Sequence, residues 1–296
     1  MKRSSFFTMS DVASSTTKSL VLKSYAKLNL GLRILGRRPK DGFHILETIF
    51  QEIDLADEIR IKEKNRRGFL SDRFKLSCNI PEIPTDESNL VMKAILEMTP
   101  YLPVDFGADI HLEKKIPSGA GLGGGSSNAA TILGWLNEKA KLEEKKLKDI
   151  AVSLGADVAF FLKGGTQYAS GIGEELQAIK IPKNWCAVLV FPKIHISTPW
   201  AYKQLKISLT AKPKKAIIPS LLKNEFNWRF FENEFDVAII PSYPEIGKIK
   251  ERLLESGAIY AALSGSGSTV FGVCESCEIA KNMLEVFENA CLAYPI

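Results

Sequence analysis

The chain has 296 residues, 45% of them hydrophobic and 25% charged, which is the composition of an ordinary globular protein. A chain of this length can bury a sizeable core and predicts about two domains. The net charge of +5 is too small to indicate nucleic-acid binding, and it suits an anionic small-molecule ligand. No apolar run approaches the roughly 18 residues of a transmembrane helix, and the five irregularly spaced cysteines are interpreted as reduced thiols. We therefore expect a cytoplasmic protein with neither a membrane nor a nucleic-acid partner.

The first ordered element is predicted to be a strand that begins near Ser19. Residues 1–18 are rich in Ser and Thr and lack a long apolar segment, so we expect a disordered extension there. Residues 19–32 alternate in the manner of a strand. Lys27 and Asn29 lie two apart, which places an ammonium and an amide on one face of that strand. Such a pair can form an ordinary solvated face or belong to a binding site.

The next part of the chain predicts a turn, several strands and a helix. Residues 36–42 have the composition of a turn, and Phe43 and His44 follow it. Alternating stretches predict strands, and a helical pattern capped by Ser88 predicts one helix. The strands are expected at residues 53–61, 74–78 and 106–113, and the helix at 89–98. A histidine after a turn is often incidental, so His44 by itself indicates no function.

The most unusual stretch of the sequence is the glycine-rich segment at residues 116–130. Five glycines fall within the seven residues 119–125, and an apolar pattern typical of a helix follows. Ser126 or Ser127 is the expected N-cap of that helix. Glycine lets a ligand approach the backbone closely, and a helix N-terminus attracts anions, so the segment favours a phosphate cradle.

Two other interpretations fit the same glycines. They can form a flexible connection, or they can belong to a dinucleotide-binding fold, because Gly119, Gly121 and Gly124 match G-x-G-x-x-G. The dinucleotide fold requires a strand after the helix, whereas residues 139–149 are charged and helical in pattern. No Lys-Ser or Lys-Thr follows the glycines, so the segment is not a Walker A motif either.

The C-terminal half predicts a second small-residue loop among strands and helices. Helices are expected at residues 142–154, ending at Gly155, at 243–256 and at 278–290; a hairpin at 167–174; a strand at 185–191; and apolar strands on both sides of a glycine loop within 261–272. Asp157 lies two residues after Gly155, where its side chain can cap a short helix or act as a catalytic carboxylate.

Four stretches of the chain together supply what phosphoryl transfer requires. The glycine-rich segment would hold phosphates, Lys27 would neutralise developing charge, and Asp157 would accept a hydroxyl proton. The second small-residue loop, at residues 264–269, would let the transferred group come close. Phe43 and His44 would suit stacking on a nucleobase and hydrogen bonding to its edge.

This set of motifs resembles the GHMP kinase superfamily over nearly the whole chain from about Ser19. The resemblance rests on Ala26-Lys-Leu-Asn-Leu30, Asp41-Gly-Phe-His44, the run Gly-Leu-Gly-Gly-Gly-Ser-Ser-Asn-Ala-Ala from Gly121, Gly155-Ala-Asp-Val158, Ile196-Ser-Thr-Pro199 and Leu263-Ser-Gly-Ser-Gly267. Two small departures are Phe43, where a tyrosine is commoner, and Ser118 before Gly119. Within the superfamily, the motifs are most similar to those of the kinases that phosphorylate the 2-hydroxyl of a cytidyl diphosphate of methylerythritol in the non-mevalonate isoprenoid pathway.

The resemblance implies an α/β fold of two domains with α+β character. Residues 19–165 would bind ATP and resemble domain 2 of ribosomal protein S5, and residues 166–296 would be ferredoxin-like. Asp157 and Lys27 would be catalytic, and Mg²⁺ is expected with ATP, with Ser127 as a candidate ligand. The ATP-binding residues would be Pro117, Ser118, Gly119, Ala120, Gly121, Leu122, Gly123, Gly124, Gly125, Ser126 and Ser127. The acceptor-binding residues would be Asn29, Phe43, His44, Asp157, Thr198, Tyr202, Gly265, Ser266 and Gly267, with the rings of Phe43 and Tyr202 enclosing the cytosine.

Three other functions stay open from the sequence. They are another small-molecule kinase of the superfamily, of homoserine or mevalonate type; a nicotinamide-dependent oxidoreductase; and a binding module without catalysis. Phe43, His44 and Tyr202 favour a nucleobase-bearing acceptor, and the presence of both Lys27 and Asp157 argues against a binding module. A monomer or weak homodimer is expected.

Overall fold

The computed structural model describes residues 19–205, 207, 214–222 and 226–296, so the predicted disorder at residues 1–18 lies outside the described residues. Strands and helices are mixed along the chain. The strands are β1 (Ser19–Arg37), β2 (His44–Asn65), β3 (Phe74–Cys78), β4 (Phe106–Glu113), β5 (Thr166–Ser170), β6 (Glu175–Ala178), β7 (Cys186–Val190), β8 (Tyr260–Leu263), β9 (Val270–Cys274) and β10 (Ala290–Ala293). The helices are α1 (Leu70–Arg73), α2 (Leu90–Met98), α3 (Gly124–Ala140), α4 (Glu144–Leu154), α5 (Ala156–Lys163), α6 (Thr198–Gln204), α7 (Ile218–Leu221), α8 (Glu234–Ile239), α9 (Pro244–Glu255) and α10 (Cys277–Leu284).

The first sheet is built around the long antiparallel pair of β1 and β2. Its strand order is β3-β4-β2-β5-β6, and β1 pairs with β2 from Ser19 to Arg37. The pairing shifts at Gly31, between Leu30 and Leu32. Gly31 has a φ of +71°, a left-handed bulge conformation that glycine adopts without steric strain. The bulge therefore changes the local direction of β1 near its centre.

Helices α2 to α5 cover one face of the first sheet and bury a single core with it. Strands and helices alike contribute large buried side chains to this core, among them Phe50, Ile59, Phe74, Ile95, Leu133 and Phe160. From Gly124 to Lys163, all of which the structure describes, the only regular elements are helices. The strand that a dinucleotide-binding fold requires after the glycine-rich segment is thus missing, and that alternative is wrong.

The second sheet is antiparallel, with strand order β10-β7-β9-β8. Counted along the chain within this sheet, the order is fourth, first, third, second, with α9 before the second strand and α10 before the fourth. This is the split β-α-β arrangement of ferredoxin-like folds, so that prediction is confirmed. The five residues of β7 are all buried between neighbouring strands and covering elements, which explains their continuous apolar sequence.

Strand pairing bears on where one domain ends and the next begins. β5 and β6 follow residue 165, yet β5 pairs with β2 and β6 pairs with β5 in the first sheet. We therefore propose a domain boundary after Ala178 in place of the expected one at residue 165. A further buried cluster contains Leu28 and Ile49 of the first sheet together with Leu189 and Phe271 of the second, so the two sheets pack against each other.

Several local expectations were wrong. Helix α2 is capped by Asn89, whose side chain accepts a hydrogen bond from Val91 N, whereas the Ser88 hydroxyl donates to Asp86. The final helix ends at Leu284, and residues 290–293 form β10 beside β7.

Among the described residues, no helix is both long enough and apolar enough to cross a bilayer.

The N-terminus of α3 also differs from expectation. The helix begins at Gly124, and its N-cap is Gly123 with a φ of +72° and no side-chain cap. Ser126 and Ser127 lie inside the first turn, so neither is the N-cap that the sequence predicted. The first N–H groups of α3 are consequently left without a capping side chain, which is the arrangement that suits an anion.

Candidate active site

The glycine-rich loop before α3 is held between β1 and the loop that joins β8 to β9. Lys27 N of β1 donates to Leu122 O at 3.0 Å, and Ser264 Oγ donates to Gly121 O at 2.9 Å. Gly121 has a φ of +77°, and a Cβ at this position would lie 2.0 Å from the carbonyl oxygen of Ser264. Because that oxygen belongs to backbone that cannot easily move, only glycine fits there.

The loop lines a cavity of about 300 Å³, which we call the loop cavity. Residues 117–126 all line it, together with the apolar side chains of Ile83, Leu90 and Leu112. Free helix N–H groups beside an apolar wall suit a nucleoside phosphate, whose base prefers the wall and whose phosphates prefer the N–H groups. Ser127 is the one expected ATP-binding residue that does not line the cavity.

A buried polar network supports the loop, and two of its members, Lys114 and Asn128, also line the loop cavity. Lys114 Nζ donates to Asp57 and to Asn128 Oδ1, and Asn128 Nδ2 donates to Asp57 Oδ2 and Ser24 Oγ, both at 2.9 Å. Ser24 Oγ donates in turn to Ser127 Oγ at 2.8 Å. The network joins β1, β2, the end of β4 and α3, so it fixes the direction from which the loop enters the helix.

The same network decides how Ser127 relates to a metal ion. Its side chain is only 2% exposed, and its hydroxyl accepts the hydrogen bond from Ser24. The hydroxyl therefore is not presented to the loop cavity, and the residue does not fit the expected role of Mg²⁺ ligand. Within the described ranges, no group of three or more His, Cys, Asp or Glu side chains could hold a metal ion.

On its other side the loop borders a second cavity of about 210 Å³, the Lys27 cavity. Lys27 Nζ donates to Asn29 Oδ1 at 2.5 Å and to Gly121 O at 2.8 Å. The shared strand face predicted for Lys27 and Asn29 is thus confirmed as a direct contact inside a cavity. Burial lowers the pKa of Lys27, and the charge of Asp157 opposes part of that effect.

Asp157 brings a carboxylate to the Lys27 cavity from the first turn of α5. Its Oδ2 lies 3.9 Å from Lys27 Nζ, and its side chain is 36% exposed. The N-cap of α5 is Gly155, without a side-chain cap, so the alternative that Asp157 merely caps a helix is wrong. The cavity therefore joins a buried ammonium to a carboxylate that solvent and ligands can reach.

The second small-residue loop closes the Lys27 cavity from the second sheet. Gly265 and Ser266 line the cavity, and Ser266 Oγ lies 3.0 Å from Thr198 Oγ1, which also lines it. A Cβ on Gly265 would lie 3.3 Å from Asn29 Oδ1, so the small residue permits this close approach. Gly267 does not line the cavity; its N–H donates to Ser264 O and shapes the loop.

Aromatic side chains are placed differently from the expected sandwich. Tyr202 lines both the Lys27 cavity and a neighbouring one of about 290 Å³, the Tyr202 cavity. His44 lies against Tyr202, with ring centroids 4.6 Å apart and an interplanar angle of 30°. Phe43 is 57% exposed beneath the Arg38 guanidinium. In the described chain, then, His44 and not Phe43 touches the ring of Tyr202.

Two ionisable groups of this region are shifted by their surroundings. Burial, followed by the charge of Asp157, raises the pKa of Tyr202 to about 12, so its hydroxyl stays protonated. Burial and the nearby charge of Arg37 lower the pKa of His44. A neutral imidazole beside a neutral phenol can stack on a base and can both donate and accept at its edge.

Sequence reasoning missed several residues of the site. Asp57 lies on β2 and Lys114 directly follows β4, and only the pairing of β2 with β4 brings them together. The lysine pair at residues 114–115, directly before the glycine-rich segment, is the one local signal for Lys114. Thr48 lines the Lys27 cavity and Ser264 holds Gly121, and neither role is visible without the register of β1 and β2 or the docking of the two loops.

Comparisons with known proteins agree with this geometry. The family model described as GHMP kinases N terminal domain matches residues 89–165, and the one described as GHMP kinases C terminal matches residues 216–292. A curated 4-diphosphocytidyl-2-C-methyl-D-erythritol kinase of Chlorobium phaeobacteroides is 42% identical over 275 residues, which cover 90% of this chain and 93% of the relative. The chain belongs to the GHMP kinase family.

Solved structures of GHMP kinases share the whole architecture. A crystal structure of 4-(cytidine 5'-diphospho)-2C-methyl-D-erythritol kinase is 31% identical, with a TM-score of 0.73, and the match covers 93% of this chain and 98% of that one. A homoserine kinase from Cytophaga hutchinsonii has a TM-score of 0.72 at 21% identity, covering 97% and 98% of the two chains. The second match shows a common fold only, so the choice of acceptor within the GHMP kinases depends on the first and on the curated relatives.

Proposed function

We propose that this GHMP kinase transfers the γ-phosphoryl group of ATP to the 2-hydroxyl of 4-diphosphocytidyl-2-C-methyl-D-erythritol. The observation that carries the proposal is that the loop cavity and the Lys27 cavity meet at one wall, formed by Gly121 and Gly123. A phosphate chain bound on one side of this wall would face a hydroxyl bound on the other. The names of the relatives that match over most of their length support this acceptor.

The chain's own residues supply the chemistry of the transfer. The N–H groups of the loop and of the first turn of α3 would hold the ATP phosphates. The acceptor oxygen would attack the γ-phosphorus, the bond to the oxygen that bridges to the β-phosphate would break, and Asp157 would take the hydroxyl proton. The Lys27 ammonium, anchored by Asn29 and Gly121, would neutralise negative charge that develops on the transferred group.

The cytidyl part of the acceptor would occupy the Tyr202 cavity. This cavity shares Tyr202 with the Lys27 cavity, and it is also lined by His44, Arg37 and Lys203. The cytosine base would stack on the ring of Tyr202 next to His44, and the ring of Phe43 would cover the outer face of the base. The side chains of Arg37 and Lys203 would bind the diphosphate. Entry of the base requires the His44 and Phe43 side chains to rearrange around it.

The test is a comparison of acceptors with the purified chain and ATP. ADP release would be followed with the cytidyl diphosphate of methylerythritol, homoserine, mevalonate and galactose, and the product would be identified by ³¹P NMR. Of the four acceptors, we expect only the cytidyl compound to be turned over, and its product should give a new phosphomonoester signal in the ³¹P spectrum. Turnover with homoserine or mevalonate in its place would assign the chain to another branch of the GHMP kinases, and no turnover with any acceptor would contradict the proposal.

A further inference from the structure

We propose that Thr48 is a positioning residue for phosphoryl transfer, because its hydroxyl fixes the orientation of the Asn29 amide and, through it, the place of the Lys27 ammonium. The inference deepens the proposed function and rests on it. Thr48 lies on β2 opposite Leu32 of β1, its side chain is fully buried, and it lines the Lys27 cavity.

The direction of the hydrogen bonds at Thr48 is settled by its neighbour Gly31. The Thr48 hydroxyl lies 2.6 Å from Gly31 O, and a carbonyl oxygen can only accept. The single proton of the hydroxyl is therefore used on Gly31. Towards Asn29 the hydroxyl presents only lone pairs, so the Asn29 nitrogen, 3.0 Å away, must be the donor.

The orientation of the Asn29 amide then decides what Lys27 meets. With Nδ2 directed to Thr48, Oδ1 is directed to Lys27 Nζ, which donates to it at 2.5 Å. The reverse orientation would set the NH₂ group of the amide against the ammonium, two donors face to face. Thr48 thus excludes the one rotation of Asn29 that would push Lys27 away.

The bulge in β1 makes this arrangement possible. Gly31 has a φ of +71° at the point where the register of β1 and β2 shifts, and its carbonyl oxygen accepts from the Thr48 side chain. A Cβ on Gly31 would lie 3.0 Å from the ring of Phe231, so glycine is required by both backbone and packing. The path from the bulge to the ammonium therefore runs through Gly31 O, Thr48 Oγ1, Asn29 and Lys27.

The consequence for the reaction is that one N–H group of Lys27 is left to bind the transferred group. Two of the three N–H groups of Lys27 are held by Asn29 Oδ1 and Gly121 O, and Asp157 Oδ2 lies 3.9 Å from the nitrogen. The remaining N–H can serve the transferred phosphoryl group. If Asn29 turned, the ammonium would lose one anchor, and its position relative to that group would vary from one turnover to the next.

The experiment compares Thr48→Val, which keeps the shape and removes the hydroxyl, with Thr48→Ser, which keeps the hydroxyl. Thr166→Val is a matched control, because Thr166 is also buried and its hydroxyl donates to Gln51 Oε1 at 2.7 Å without lining the Lys27 cavity. We expect Thr48→Val to lower kcat about tenfold to a hundredfold with the KM for ATP little changed. Thr48→Ser should restore most of the loss, and Thr166→Val should have nearly the wild-type kcat.

A double-mutant cycle tests whether Thr48 acts through Asn29. In an Asn29→Ala background, Thr48→Val should lower kcat no further, because the amide that it orients is gone. Losses that multiply, or a serine variant as slow as the valine variant, would overturn the proposal. Thermal melts of all variants exclude unfolding as the cause, and Thr48→Ala replaces Thr48→Val if the latter does not fold.

A measurement without substrate separates this proposal from the proposed function. Hydrogen exchange of the Asn29 side-chain NH₂ can be followed by ¹⁵N NMR of the free chain. We expect slow exchange in the wild type and faster exchange in Thr48→Val, and equal exchange rates would overturn the inference. If the wild-type chain does not phosphorylate the cytidyl compound, the proposed function fails, while the exchange result still decides the role of Thr48.

Discussion

Asp157 carries the first prediction at the scale of single residues. Its carboxylate reaches the Lys27 cavity, lies 3.9 Å from the ammonium and caps no helix. We expect Asp157→Asn to lower kcat about 10²- to 10⁴-fold, because the acceptor of the hydroxyl proton is lost while shape is kept. The KM for ATP should change little. Asp149→Asn, on the exposed side of α4, is the control, and near-native turnover of Asp157→Asn would require another base.

The second prediction concerns the aromatic end of the acceptor site. Phe43→Ala and Tyr202→Ala should each weaken binding of the cytidyl compound roughly tenfold to a hundredfold, since one stacked ring contributes about 1–3 kcal/mol. ATP binding should be unaffected. Calorimetric titration measures the affinity, and a thermal melt accompanies each variant.

Phe43 gives the sharper of these two tests. Its ring is largely exposed, whereas Tyr202 also packs edge-on against Phe235, with centroids 4.9 Å apart. Phe43→Ala should therefore keep the melting temperature of the wild type. Unchanged affinity for the cytidyl compound in this variant would mean that Phe43 is only a surface residue and that the base has no second aromatic wall.

At the scale of elements, the two glycine loops hold each other. The carbonyl of Gly121 accepts from Ser264, and a Cβ on Gly121 would lie 2.0 Å from the Ser264 carbonyl oxygen. We expect Gly121→Ala to separate the loops, lowering kcat at least about a hundredfold and also raising the KM for ATP, because misplacing bound groups by about 1 Å has such effects.

Gly134 offers the matched control for that substitution. It lies within α3, where an added Cβ would meet no atom within 4 Å. Gly134→Ala should leave the kinetics unchanged and stabilise the chain by up to about 1 kcal/mol, because alanine is the better helix former. Steady-state kinetics and urea unfolding of both variants test the pair, and wild-type kinetics for Gly121→Ala would mean that the contact of the two loops is not required.

The elements that sequence patterns predicted well are those whose pattern is local. The alternation of apolar and polar residues predicted that Lys27 and Asn29 share one strand face, and the glycine-rich segment predicted a loop before a helix. The role of Thr48 depends on a register that the Gly31 bulge sets, and no pattern within β2 reveals it. The last helix was predicted to continue to Ala290, and the short β10 was not predicted, because its few apolar residues fit either period and only pairing with β7 decides.

At the scale of the whole molecule, the two halves are joined by a buried carboxylate. Glu47 of β2 is fully buried; it accepts from Arg33 at 2.6 Å and from the backbone N–H groups of Ile217 and Ile218, at 2.9 and 3.1 Å. The last two belong to the chain segment at α7, beyond both β6 and β7. No sequence pattern indicated this link, because its partners are about 170 residues apart.

The prediction at this scale is that Glu47→Ala lowers the free energy of unfolding by about 3–5 kcal/mol, the usual effect of breaking a buried ion pair. Urea unfolding measures it. Glu144, which pairs with Lys163 where both side chains are largely exposed, supplies the control Glu144→Ala, expected to change stability little. Equal stabilities for the two variants would show that Glu47 does not hold the halves together.

The shared wall at Gly121 also sets a rule for inhibitor chemistry. A compound that joined an adenosine phosphate to a cytidyl group would engage the loop cavity and the Tyr202 cavity at once, gaining affinity from the effective concentration of its second half. Its linker would pass the Gly121 carbonyl, whose oxygen already accepts from Lys27 and Ser264 and has no lone pair left to offer. The linker should therefore be slender, and a hydrogen-bond donor on it would find no acceptor at this carbonyl. The selectivity of such a compound would then come from its adenosine and cytidyl ends.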